Sequence, residues 1–182
     1  MGESIGPMHY NCPVKKKRRV IFICDSLLRG TEAPICQPDP SHRGVCCLPG
    51  ARVREVARKL PGLVWLTDYY PLLVMEVGSD EMAERSPETI KRDFRAVGRF
   101  VEGSGAQTVL SSIPSVAGRK IKRNRITHMI NMWLRGWCHR WNFRFFGQGQ
   151  VYTALGLLAT DGVQLSQRGI LAHELAGLIR GL

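Results

Sequence analysis

After a patternless start, the chain settles into alternating apolar runs and amphipathic stretches. Residues 1–14 mix Gly, Pro and polar positions without a period, which predicts a mobile arm. An apolar run at about 19–23, Val20-Ile21-Phe22-Ile23, does not alternate with polar residues. That is the pattern of a strand in a parallel sheet covered on both faces. Pro34, Pro38 and Pro40 keep residues 30–44 from forming a long helix. A second strand is expected at 45–48, with a turn at Pro49-Gly50. Val53, Val56, Ala57 and Leu60 then share one helical face, which Pro61-Gly62 should end. Leu72-Leu73-Val74-Met75 marks a third strand within 70–77.

Ser86-Pro87-Glu88 is a helix start: an oxygen to cap it, a proline in the first turn and an acid facing the dipole. Ile90, Phe94, Val97 and Val101 continue it at helical spacing, and Gly103-Ser104-Gly105 closes it. Residues 108–112 read as a fourth strand stopped by Pro114. Ile126, Ile130, Trp133, Trp137 and Trp141 line one stripe of a long helix, 143–146 reads as a fifth strand, and 171–179 as a closing helix. This rhythm predicts one flavodoxin-like, three-layer α/β/α domain over 19–182, preceded by a basic arm over 1–18. Its parallel five-stranded sheet should hold strand 1 between strands 2 and 3.

Composition changes this picture in two respects. At 182 residues, 44% hydrophobic and 23% charged, the chain can bury a core without staples, and no apolar run approaches the roughly 20 residues of a membrane span. Residues 1–11 lack the apolar core of a secretory signal. The six cysteines show no C-x-x-C spacing, so buried thiols in a reducing compartment are expected, and an intracellular protein with them. No metal or cofactor is expected. The net charge of +11 favours polyanionic partners. Its densest runs are Lys15-Lys16-Lys17-Arg18-Arg19, which also resembles an import signal, and Arg119, Lys120, Lys122, Arg123 and Arg125.

The chemistry sits in two distant stretches. The first strand runs into Cys24-Asp25-Ser26-Leu27-Leu28, and near the end stands Asp161-Gly162-Val163-Gln164-Leu165-Ser166. A strand that delivers Asp-Ser-Leu into a helix, paired with a late Asp-Gly-x-x-Leu-Ser, resembles the GDSL or SGNH family of ester hydrolases. The resemblance implies that Ser26 is the nucleophile and Asp161 the acid of a catalytic triad. It implies that Gly50 helps form the oxyanion hole, together with the amide at Ser26. Val77-Gly78-Ser79-Asp80-Glu81 matches the block that reads Gly-x-Asn-Asp in that family. Two positions depart from the pattern: Gln164 stands where the family has its histidine, and Asp80 where it has the oxyanion asparagine. A primary amide takes no proton from serine near neutral pH, and an ionised carboxylate only accepts hydrogen bonds. The family's glycine before Asp-Ser is Cys24 here. His128, His139 and His173 are the histidines from which a substitute base could come.

A narrower resemblance lies in Asp25-Ser26-Leu27-Leu28-Arg29-Gly30-Thr31-Glu32, in Cys47-Leu48-Pro49-Gly50-Ala51 and in residues 140–146. These are similar to the esterase domain in the first open reading frame of vertebrate LINE-type retrotransposons. The loss of both active-site groups, and a short segment after Ser166, then point to a degenerate copy. Three readings follow: a catalytically impaired hydrolase of retrotransposon descent, an active esterase on small acyl esters or lipids, and a basic nucleic-acid-associated protein using the fold as scaffold.

Overall fold

Each of the five strands expected from the sequence is present, displaced by one or two residues from its sequence limits. The computed structural model describes residues 18–25, 41–115 and 120–147. Within them lie β1 (Val20–Cys24), β2 (Arg43–Cys47), α1 (Val53–Leu63), β3 (Leu72–Glu76), α2 (Pro87–Ser104), β4 (Gln107–Ser111), α3 (Ile121–Arg140) and β5 (Arg144–Phe146). The five strands form one sheet in the order β2-β1-β3-β4-β5, all parallel, so β1 lies between β2 and β3 as expected. The helix expected at 171–179 lies outside the described residues.

Strand alternation divides the core. Ile21 and Ile23 of β1, Leu73 and Met75 of β3 and Leu110 of β4 join Val56, Leu60, Ile90, Phe94, Val97, Ile130 and Leu134 of the three helices in one cluster. The intervening Phe22, Leu72, Val74 and Val109 are buried too, so the sheet is covered on both faces. The chain steps from β1 outward to β2, then back across β1 to β3 and onward. That reversal makes the carboxyl ends of β1 and β3 the topological switch point, where α/β sheets place their sites.

Local signals explain α2 well. The Ser86 hydroxyl accepts the Thr89 N–H at 3.3 Å, Pro87 opens the first turn, and Gly105 ends the helix in the left-handed conformation at φ +72°. Gly98 lets α3 approach closely: a Cβ there would stand 2.6 Å from the Trp137 ring. Two expectations are corrected. Pro61 does not end α1, which runs on to Leu63, because the Val64 N–H still reaches the Leu60 carbonyl at 3.0 Å and Leu63 packs against the core. The tryptophan stripe also stops early: Trp137 is buried and stacks on Trp133 at 5.4 Å, whereas Trp141 falls past the last turn and is about half exposed.

Candidate active site at the carboxyl ends of β1 and β3

Burial of β1 carries Asp25 to the edge of the sheet, fixed on both sides by backbone. Its N–H donates to the Glu76 carbonyl at 3.1 Å, and its Oδ2 accepts the Ser79 N–H at 3.2 Å. Next to it the Leu48 N–H donates to the Cys24 carbonyl at 2.8 Å, so β1 and β2 stay aligned up to the turn. Gly50 stands in that turn at φ +71°, in the left-handed region that glycine enters without strain.

The loop after β3 starts at Gly78, with φ +102° and little free space, since a Cβ would meet the Ile113 Cδ1 at 3.3 Å. Ser79–Glu81 then form one 3-10 turn. Its two carboxylates have opposite fates. Glu81 is buried, accepts the Val53 N–H at the start of α1 at 3.0 Å and pairs with Arg85 at 3.1 Å, while Arg85 also holds Asp93 at 2.9 Å. Burial raises the Glu81 pKa, and the Val53 and Arg85 contacts oppose that rise. Asp80 is exposed.

Two groups that sequence reasoning passed over complete the site. Arg123 is buried under the loop and donates to the Ser79 carbonyl and hydroxyl, both at 3.0 Å, and to the Pro114 carbonyl at 3.2 Å. Burial lowers its pKa, and the fields of Asp80 and Asp25 work against that shift. Glu76 ends β3 fully buried, and neither of its oxygens makes a well-formed hydrogen bond. Its pKa lies well above the ordinary carboxyl value, first from desolvation, then from the Asp25 carboxyl beside it, to which a protonated Glu76 would donate, and from the charge of Asp80. A carboxyl at the end of an otherwise apolar buried strand was the available signal for Glu76. For Arg123 it was the spacing to Thr127 and Ile130 on the buried side of α3.

The basic run expected to face a polyanion is therefore divided. Lys120, Lys122 and Arg125 are exposed, but Arg123 is turned inward and occupied by backbone carbonyls. His128 and His139 are exposed on α3. Of the sequence-predicted site, Gly50 and Asp80 come to the carboxyl edge of the sheet, while Ser26, Asp161 and Gln164 lie outside the described residues, as do residues 15–17 and Arg119. No group of three or more His, Cys, Asp or Glu side chains among the described residues could hold a metal ion. No helix among them is long and apolar enough to cross a membrane.

Several solved structures share this architecture. A GDSL-like lipase from Bacteroides thetaiotaomicron superposes at a TM-score of 0.71 with 15% identity, covering 93% of this chain and 89% of that one. A member of the lipolytic G-D-S-L family from Veillonella parvula superposes at 0.72 with 11% identity, covering 90% and 97%. This is the fold of the GDSL-type hydrolases. The esterase domain of the ZfL2-1 ORF1 protein from a zebrafish retrotransposon is also similar, at 23% identity over 90% of this chain and 99% of that one, with a TM-score of 0.48. No protein-family model matches the chain. No curated protein matches it either. Within this fold, the carboxyl ends of β1 and β3 gather Asp25, Glu76 and Asp80 within reach of one another's charge, with the Arg123 guanidinium beneath the loop.

Proposed function

We propose that this chain is a catalytically impaired acyl-ester hydrolase of the SGNH type, descended from a retrotransposon esterase domain. In this reading Ser26 holds the nucleophile's place and Asp161 that of the triad acid. Gln164 replaces the base, and Asp80 replaces the oxyanion donor. The observation that carries it is Asp80: an exposed carboxylate on the loop after β3, at the edge where an ester's developing oxyanion would need an N–H. Asp25 and Glu76 add acidic groups behind it, and the Arg123 guanidinium is held by the Ser79 carbonyl and hydroxyl. Descent is supported by the runs at 25–32, 47–51 and 140–146.

The losses act on one transition state. Removing a triad member costs about 10⁴-fold and an oxyanion donor about 10²–10³-fold, and the two do not add. Hydrolysis of p-nitrophenyl acetate and butyrate tests the reading. The unmodified protein should show no turnover dependent on Ser26. Gln164→His and Asp80→Asn should each restore little alone, and together should restore turnover that Ser26→Ala abolishes. Ser26-dependent hydrolysis by the unmodified protein would show that the base has been replaced from elsewhere and that the enzyme is active.

A further inference from the structure

Two thiols meet at the end of the sheet one residue before Asp25. β1 and β2 are parallel, with Cys24 in register with Cys47. Register partners on adjacent strands project to the same face from backbones about 4.8 Å apart, inside the window of about 4.4–6.8 Å that a disulfide spans. The two Sγ atoms stand 2.8 Å apart. Cys46 precedes Cys47 on the same strand and so projects to the opposite face, where it cannot take its place. The ladder continues past the pair through the Leu48 N–H on the Cys24 carbonyl, which holds the two strands side by side at this point.

The pair is asymmetric. Cys24 is wholly buried; burial, the contact with Cys47 and the carboxylates of Glu76 and Asp25 all push its thiol up. Cys47 is partly exposed, and so is the member of the pair nearer solvent.

We propose that Cys24 and Cys47 are a redox pair that a hydroperoxide converts to a reversible disulfide, joining the strand that leads to Ser26 to the strand that leads to Gly50. In the first step the Cys47 sulfur attacks the peroxide. An S–O bond forms and the O–O bond breaks, and the leaving oxygen departs with the Cys47 proton as water or alcohol. In the second step the Cys24 sulfur attacks the resulting sulfenic acid. The S–S bond forms, the S–O bond breaks, and the departing hydroxide takes the Cys24 proton as water. Two thiols supply the two electrons that the peroxide consumes. A glycine at position 24, as in the family the sequence resembles, would have no such chemistry.

The test uses the full chain, reduced, desalted and exposed to a small excess of hydrogen peroxide. The intact mass should fall by two hydrogens and return with dithiothreitol, and a digest under non-reducing conditions should yield one cross-linked product joining Cys24 to Cys47. The melting midpoint should rise on the order of 5–10 °C on oxidation, since the bridge closes a long loop. That rise should be absent in Cys47→Ser and in Cys24→Ala. A gain of oxygen without a cross-link, or a cross-link from Cys47 to Cys36, would overturn the proposal. The peptide map of the unmodified chain decides the matter even if a variant fails to fold. None of these readouts uses ester hydrolysis, so the result stands apart from the proposed activity.

Discussion

Replacing Glu76 with glutamine should make the protein more stable at neutral pH and remove part of its pH dependence. Glu76 is buried at the end of β3, its oxygens lack well-formed hydrogen bonds, and Asp25 and Asp80 repel its charge. All these effects favour the protonated carboxyl, so its folded pKa lies above the unfolded one, near 4.5. Below about pH 4.5 both states hold the proton and the group costs nothing on that account. As pH rises from there through the folded pKa, the unfolded chain releases the proton that the folded one keeps. Stability then falls by about 1.4 kcal/mol for each pH unit, levelling off above the folded pKa. Glutamine has the same shape, never ionises, and offers an N–H to Asp25 at every pH. Urea unfolding followed by the fluorescence of Trp133 and Trp137, from pH 4.5 to 8, measures the difference. The two proteins should diverge with rising pH, the Glu76→Gln variant being the more stable at pH 7. Parallel curves, or a variant less stable at every pH, would mean that Glu76 is ionised and paired in the folded protein.

Further outcomes follow from the packing. Arg85→Ala should cost about 3–5 kcal/mol in urea unfolding, because it leaves the buried Glu81 and Asp93 carboxylates without their shared cation. Gly98→Ala should cost about 1–3 kcal/mol and alter the Trp137 emission, since the new Cβ would press on its ring from 2.6 Å. Gly78→Ala should lower the melting midpoint, through a left-handed backbone and a crowded Ile113 together, with no comparable effect from Gly62→Ala, which meets nothing within 4 Å.

Much of the fold was legible because its signals are local. A run such as Leu72-Leu73-Val74-Met75 has enough apolar surface to demand burial on both faces, and nothing distant is needed to see it. The start of α2 at Ser86-Pro87 and its end at Gly105 depend on the conformations of those residues alone. The strand order follows as well, because handed crossovers leave few arrangements for strands alternating with helices. Gly50 and Asp80 follow β2 and β3 within a few residues, so their places near the carboxyl edge come with the strands.

What only the tertiary structure decided depends on groups far apart in sequence. Pro61 terminates helices by local rules, yet the packing of Leu63 carries α1 past it. Arg123 belongs by composition to a solvated basic run, and it is the approach of the Ser79 loop, 44 residues earlier in the chain, that draws it inward. Glu76 reads as a polar residue closing a strand until Asp25 and Asp80 gather around it. Cys24 and Cys47 read as isolated thiols until parallel pairing of β1 and β2 brings their sulfurs together. Hydrophobic periodicity needs only a residue's own neighbours along the chain, whereas charge, hydrogen bonding and thiol contact take their meaning from neighbours that folding supplies.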